Sequence, residues 1–435
     1  MSSNFLYPIK TKSRVYSLLY PWVSSGVDLF VKELEVIGLE NIPKDGPLML
    51  IANHQNAMFD PLICCRVFPR QLHWLTRSDV FKNPKVAAFL HQIHMLPIYR
   101  EKDNVADQME RNEEVFKVCR ERLSKGAVIA MFPEGSHRGK KQLLTPLKKG
   151  FARLAFSSIQ KDERLMNMKI VPMGLDYSDF LNYQPRLVLR IGEPILLSEF
   201  WPAYLEDQNK AINQLVRVAN ERLSSVMIDI RSDEDYQMLL DLEPLFWNDE
   251  SVSTASGFEE YKQWTDQWPS MSEEEKSPYY QYHRMLVDDD LTAMQVERKL
   301  SYNWRQQIWF WIESVPGIMG SILYYPIYAL AEWFIKKNIK DELFYNSIRL
   351  AIFTFLMPLY LLIIGAIGII TIPHLGVFDF GLGLLFIVSI GLFAISWSKK
   401  RWVRRDAIAG KKFAAQYPEK WNNLLIVRNQ IKKNG

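Results

Sequence analysis

Cysteine is almost missing from this chain of 435 residues, which holds only Cys64, Cys65 and Cys119. Neighbouring residues rarely bridge, and no C-x-x-C spacing occurs, so neither a disulfide framework nor a zinc site is indicated. The three read as small apolar side chains in a reduced compartment. Excess charge is scarce too. A formal net charge of +4 over this length gives no concentrated basic face, and nucleic acid is not an expected partner. There is no Gly-x-Ser-x-Gly elbow, which removes the usual nucleophile of a lipid hydrolase. The opening Met1–Pro8 lacks the charged-then-apolar pattern of a secretory signal, so the soluble part is expected in the cytoplasm.

Aromatics, by contrast, are plentiful at 13%, with 13 Trp and 19 Tyr, which suits a chain that meets a membrane interface. From about Val15 to Ile195 short apolar runs alternate with amphipathic stretches, the pattern of an α/β domain with a mixed sheet flanked by helices. Expected strands are 31–37, 48–52, 72–76, 95–99, 128–132, 170–174 and 187–191. Expected helices are 61–68, 84–92, 104–124 and 149–159. The aromatic stretch 15–30 reads as an amphipathic helix, lying either on a membrane surface or against the domain.

Three domains follow: residues 1–200, a helical acidic insertion or linker at 201–307, and a membrane region at 308–435. The insertion carries Asp233-Glu234-Asp235, Glu273-Glu274-Glu275 and Asp288-Asp289-Asp290. Such runs read as solvated faces, and consecutive aspartates point different ways, so no metal site is expected. Residues 350–372 and 378–397 each approach the ~20 residues that cross a bilayer as a helix. Lys336, Lys337, Lys340 and Arg349 precede the pair, and Lys399, Lys400, Arg401, Arg404 and Arg405 follow it. Positive charge at both outer ends makes the pair a transmembrane hairpin with cytoplasmic ends, leading to a basic tail. Residues 308–335 contain Glu313 and Glu332 and are interrupted by Pro316 and Pro326. They read as an interfacial or re-entrant segment, because a third crossing would put one set of charges on the wrong side.

Two motifs carry chemistry. Asn53-His54-Gln55-Asn56-Ala57-Met58-Phe59-Asp60 lies between an expected strand and helix, the place where α/β proteins seat ligands. A histidine oriented by a carboxylate can take a proton from an attacking hydroxyl, although a lone His near an Asp is more often structural. Phe132-Pro133-Glu134-Gly135-Ser136-His137-Arg138 again follows a strand. Glu134 can accept from hydroxyls and Arg138 can pair with phosphate. Lys140, Lys141, Lys148 and Lys149 extend the basic character, and Arg100 follows the strand 95–99.

Together these blocks resemble the glycerol-phosphate and lysophosphatidate acyltransferase family. The His–Asp box comes first, Ile98-Tyr99-Arg100 second, Phe132 to Arg138 with Leu147-Lys148-Lys149-Gly150 third, and Val171-Pro172 fourth. The resemblance covers about residues 15–200. It implies a glycerolipid acyltransferase-like fold, with His54 as general base and Asp60 as its orienting partner. Arg100, Glu134, Gly135, Ser136, Arg138 and Lys148 would form the substrate site. The implied reaction moves an acyl chain from acyl-CoA or acyl carrier protein to 1-acyl-sn-glycerol 3-phosphate, a membrane lipid, with no metal or organic cofactor. Glycerol 3-phosphate or dihydroxyacetone phosphate is the alternative acceptor, and an inactive membrane scaffold the alternative of another class. An integral membrane protein with its catalytic domain on the cytoplasmic face is expected. One departure stands out: five residues separate His54 from Asp60 where the family has four. On a regular helix one extra residue turns a side chain by about 100°, so the loop has to bulge for Asp60 to reach His54.

Overall fold

The computed structural model describes residues 13–100, 103, 107–247, 253–371 and 377–434. The chain divides into two compact units, one ending at Asp229 and the other beginning at Ile230.

The first unit is an eight-stranded mixed sheet with helices around it. Its strands are β1 (Glu33–Ile37), β2 (Leu48–Ala52), β3 (Leu72–Arg77), β4 (Leu96–Ile98), β5 (Val128–Met131), β6 (Lys169–Tyr177), β7 (Arg186–Ile191) and β8 (Ile195–Leu196). They lie in the order β1-β7-β6-β2-β5-β3-β4, with β8 paired to β6. The pairs are parallel except for β6 with β7 and with β8. Every residue of β2 and of β5 is buried. This is what continuous apolar strands do at the centre of a parallel sheet covered on both faces.

The flanking helices are α1 (Arg14–Phe30), α2 (Phe59–Val67), α3 (Pro84–Gln92), α4 (Gln108–Leu123), α5 (Gly150–Lys161), α6 (Trp201–Glu206) and α7 (Gln208–Ser225). The strands and helices expected from periodicity are all present, with ends moved by a few residues; 104–106 lie outside the described residues. Helix α1 buries Val27 and Phe30 at its C-terminal end, where Phe30 meets Phe59 of α2 at 5.4 Å between ring centroids. Nearer its start Leu18 and Trp22 stay exposed.

The unit extends past residue 200 because α6 and α7 pack on the sheet. Tyr204 stacks on Phe156 of α5 at 4.3 Å, and Ala211, Leu215, Ala219 and Leu223 join the main core. Beyond α7 the backbone passes so close to β6 that a Cβ on Gly174 would stand 1.9 Å from the Val226 carbonyl oxygen. Asp176 then accepts from the Ile228 N–H at 2.9 Å, and Asp229 from the Leu143 N–H at 2.9 Å. Residues 201–229, assigned from sequence to the acidic insertion, therefore complete the sheet domain.

The second unit is all helical: α8 (Tyr236–Leu242), α9 (Pro244–Trp247), α10 (Thr254–Gln267), α11 (Glu273–Asp288), α12 (Ala293–Ser301), α13 (Trp304–Asn338), α14 (Tyr345–Thr371), α15 (Val377–Gln416) and α16 (Pro418–Asn434). Three of these, α13, α14 and α15, are long and apolar enough to cross a membrane, and on that ground the chain is a membrane protein. Pro316 and Pro326 do not interrupt α13, which runs unbroken over 35 residues. The segment expected to be interfacial or re-entrant is thus a continuous helix of spanning length, tolerable because neighbouring helices can re-satisfy the backbone groups that proline releases.

Helices α13 and α15 pack antiparallel through small residues. Gly317 faces Trp397, Gly320 faces Ile390 and Ala394, and Gly391 faces the Tyr324 ring. The second half of α15 leaves the apolar stretch and joins α12 and α16. Arg298 pairs with Asp406, Arg428 with Glu297, and Lys420 with Asp289 at 2.6 Å. The acidic run 273–275 opens α11, where Ser272 and Glu275 form a capping box and negative charge favours the helix N-terminus. The acidic stretches of this unit are partly partnered by the basic tail.

Candidate active site

Strand β2 ends at Ala52, and the chain turns out of the sheet through Asn53. The Asn53 side chain keeps the turn in register. Its Nδ2 donates to the Leu175 carbonyl at 3.0 Å and its Oδ1 accepts from the Leu175 N–H at 2.7 Å, which prolongs the β2–β6 pairing by one rung. His54 follows. Its Nδ1 lies 2.8 Å from Asp60 Oδ2. An ionised carboxylate only accepts, so Nδ1 carries the proton and Nε2 keeps the lone pair.

The extra residue in the box is absorbed before α2. Ala57 takes φ +37°, an uncommon conformation outside glycine, and the Phe59 N–H closes on the Asn56 carbonyl at 2.9 Å. The loop therefore curls round the carboxylate. Asp60 Oδ2 also accepts from the Gln55 and Asn56 N–H groups, both at 2.8 Å, and Oδ1 accepts from the Tyr177 hydroxyl at 2.6 Å. Asp60 is wholly buried, with four donors around it. Burial and the adjacent Asp60 push the Tyr177 hydroxyl well above its ordinary range, which keeps it a donor.

The neighbouring strand supplies the other wall. Because Ile51 pairs with Met131, the turn after β5 comes up beside His54. The imidazole stacks on Phe132 at 4.0 Å and 8°, and Phe132 in turn on Trp74 of β3 at 4.8 Å. His137 meets His54 edge-on at 5.2 Å. Glu134 is buried, and each of its carboxylate oxygens accepts a backbone N–H: Oε1 from His54 at 2.6 Å and Oε2 from Leu144 at 2.9 Å. Desolvation raises this carboxyl to about 7, against those two hydrogen bonds. Gly135 sits at φ +76°, a left-handed conformation that favours glycine, with the Lys148 side chain alongside. The Lys148 N–H donates to the Pro133 carbonyl at 2.8 Å, and the Gly139 N–H to the Gln55 carbonyl at 3.0 Å. The His box and the Glu-Gly turn are thus tied into one structure.

Residues 33–176 match the family described as Acyltransferase. A 1-acyl-sn-glycerol-3-phosphate acyltransferase of Bacillus subtilis is 22% identical over 44% of this chain and 91% of its own length. Glycerol-3-phosphate O-acyltransferase 2 of Saccharomyces cerevisiae is 28% identical over 30% of this chain but only 17% of its own. Residues 33–176 are thus an acyltransferase domain of the glycerol-phosphate and lysophosphatidate acyltransferase family. Among solved structures, the Thermotoga maritima acyltransferase PlsC is similar at TM-score 0.35 and 20% identity, over 47% of this chain and 78% of that one.

Within the acyltransferase domain, the structure brings His54, Asp60, Glu134, Gly135 and Lys148 together. Arg138 is exposed on the same turn, its guanidinium 3.5 Å from the Gln142 carbonyl, and Ser136 lies between Gly135 and His137. Arg100 is set apart. It follows β4, three strands across the sheet from β2, or roughly 14 Å at normal strand spacing. Its guanidinium is held by Asp103, with Nη2 to Oδ1 at 2.7 Å, and Asp79 stands nearby at 3.9 Å. Among the described residues no group of three or more His, Cys, Asp or Glu side chains could hold a metal ion. The other buried histidines of this domain are poor bases. His73 accepts from the Arg122 guanidinium at 2.9 Å, and burial pushes its pKa down to about 2.

Sequence reasoning missed Tyr177, and it quoted Asn53 and Phe132 within the two boxes without giving either a role. Tyr177 stands 117 positions from Asp60 in a strand that otherwise reads as core, and it carries no local signal. Asn53 directly precedes His54 and could have been singled out as an amide at a strand end.

Proposed function

We propose that this protein transfers an acyl chain from acyl-CoA or acyl carrier protein to the free hydroxyl of 1-acyl-sn-glycerol 3-phosphate. The observation that carries the reading is the His54–Asp60 pair. Nδ1 is anchored at 2.8 Å to a fully donated carboxylate, and the imidazole keeps 16% of its side-chain surface open to a substrate. The acceptor hydroxyl attacks the thioester carbonyl while Nε2 of His54 takes its proton. Asp60 stabilises the imidazolium that forms, and the Phe132 face beneath the ring favours the same charge. Collapse of the tetrahedral intermediate expels the thiolate, which leaves with the proton from His54. The reaction in this form calls for no metal and no organic cofactor.

Arg138 and Lys148, on the turn beside His54, are the cations for the acceptor's phosphate. Arg100 would join them after exchanging Asp103 for the phosphate, a swap between two charge-assisted partners. Gly135 and Ser136 shape the turn: the Gly135 N–H closes on the Phe132 carbonyl at 3.1 Å, and Ser136 offers its backbone N–H. Glu134 acts chiefly by holding the His54 backbone. The basic residues that follow the apolar part of α15 support a cytoplasmic location for that end of the helix. Lys400 there pairs with Glu313 near the start of α13, which supports the same face for the start of α13 and a cytoplasmic catalytic domain drawing its lipid acceptor from the inner leaflet.

The test is a side-by-side assay of the purified protein with labelled acyl-CoA and acyl carrier protein, offered 1-acylglycerol 3-phosphate and glycerol 3-phosphate. Faster transfer to the lysolipid is expected. Preference for glycerol 3-phosphate would move the protein to the other acceptor, which the yeast relative's name already keeps in view. Transfer to neither would sink the reading.

A further inference from the structure

The packing of α13 on α15 leaves a groove of about 310 Å³, lined by Ile318, Ser321, Ile322, Tyr325, Trp397 and Arg401. Its floor is the i, i+3, i+4, i+7 face of α13, and one turn of α15 closes one end. The Ser321 hydroxyl donates to the Gly317 carbonyl at 2.7 Å, so the wall it contributes presents no unsatisfied donor. Ile322 and Tyr325 are largely exposed, as residues facing lipid would be.

The groove is charged at one end only. Arg401 lies just past the apolar run of α15, and helical side chains lean toward the helix N-terminus. Its guanidinium accordingly lies back over the Trp397 ring, 5.6 Å from the centroid. The surrounding cations are engaged: Lys400 by Glu313, Arg404 by the rings of Phe310 and Trp311, Arg405 by Asp406. Arg401 is exposed and has no hydrogen-bond or ion-pair partner among the described residues, so its donors are open to a ligand from outside the protein. Because α13 runs antiparallel to α15, the step from Ile318 to Tyr325 leads away from Arg401 and down the apolar stretch.

We propose that this groove binds a phosphate-bearing lipid, with the phosphate on Arg401 and one acyl chain along Ile318, Ile322 and Tyr325. The order of the lining residues, cation then tryptophan then aliphatic wall, matches the order of chemistry along such a lipid. A guanidinium binds phosphate through paired, charge-assisted hydrogen bonds, which a zwitterionic headgroup partly satisfies within itself. The site stands on the membrane helices alone and does not depend on which acceptor the acyltransferase domain uses.

Native mass spectrometry of the full chain in detergent tests this, with titration by phosphatidate, phosphatidylcholine of the same chains, and inorganic phosphate. One phosphatidate should be retained about 10-fold more tightly than phosphatidylcholine, the equivalent of roughly 1.4 kcal/mol. Arg401→Gln should abolish that preference. Ile322→Trp, which fills the groove, should weaken phosphatidate binding while Arg401 is intact. Arg305→Gln, at an exposed cation on the same helix, should change nothing, and circular dichroism of each variant checks that it is folded. Equal retention of both lipids, or a preference that survives Arg401→Gln, would show annular lipid only and overturn the proposal. So would saturation by inorganic phosphate that Ile322→Trp leaves unaltered.

Discussion

The two units solve opposite problems with the same kinds of polar residue. In the sheet unit polar groups converge: Asn53, Asp60, Glu134 and Tyr177 are buried around one partly open imidazole, and their hydrogen bonds go to backbone or to each other. In the helical unit they disperse, as single ion pairs that pin one helix to the next, such as Glu332 with Arg349 and Glu297 with Arg428. Convergence fixes one side chain to within the tolerance chemistry needs. Dispersed pairs fix register between helices and contribute modestly to stability. Loss of a residue from the first kind of arrangement should therefore appear in rate, and from the second in stability.

The largest separation is expected at His54. His54→Ala should lower turnover by at least about 10³-fold, within the range of general-base loss, with the circular dichroism spectrum and protease resistance unchanged. A variant retaining a tenth of the activity would break the assignment of rate to this network.

Glu134 tests the network by pH. Its carboxyl is raised to about 7 by burial, so the folded protein holds this proton more tightly than the unfolded chain does. Stability from this group is then complete below the ordinary carboxyl pKa of 4.5 and declines as pH rises toward 7. A shift of that size corresponds to at most about 3 kcal/mol. Glu134→Gln should flatten the fall in thermal midpoint of the sheet unit between pH 5 and 7. An unchanged slope would place the titration elsewhere.

Tyr177 comes next. Tyr177→Phe removes one donor from Asp60 and keeps the ring among Phe59 and Phe180. A hydrogen bond to a charged group is worth about 1.5–3 kcal/mol, so turnover should drop roughly 10-fold with KM little altered. The acid limb of the pH–rate profile should also shift, because the partner of the imidazolium has changed. A variant with lowered melting temperature but an identical profile would reduce Tyr177 to a packing residue.

What the sequence made legible follows the same division. Local signals were strong in the sheet unit. Apolar runs gave β2 and β5, and the strand-end boxes singled out His54 and Glu134. The carboxylate's reach was the open question, and the answer lay in the backbone: Ala57 in a left-handed conformation curls the longer loop back on itself. Partners fixed by tertiary pairing were not legible, as with Tyr177 on β6. In the helical unit the apolar spans were evident from hydropathy alone. The continuity of α13 was not, since two prolines and two glutamates read as interruptions. The structure gives each glutamate a cation on a neighbouring helix, Lys400 for Glu313 and Arg349 for Glu332. The acidic runs near 273 and 288 looked idle because their partners, a helix N-terminus and Lys420, lie in cap geometry and in the distant tail.

The smallest effect is expected at Arg428, and it bears directly on the dispersed pairs. Its guanidinium meets both oxygens of Glu297, with Nη2 to Oε2 at 2.6 Å, and neither side chain exposes more than 16% of its surface. Arg428→Ala leaves the Glu297 carboxylate nearly buried without its cation, which should cost about 1–2 kcal/mol, less than a fully buried pair would. Cleavage between α12 and α16 in limited proteolysis should speed up several-fold, while turnover per folded molecule stays at the wild-type value. Glu297→Gln with Arg428→Met removes both charges and should recover most of the resistance, since the uncompensated charge is what destabilises. If the double variant were as labile as the single one, packing of the long side chains would outweigh their charge, and register in the helical unit would rest on the aromatic and aliphatic core around Tyr282 and Val427.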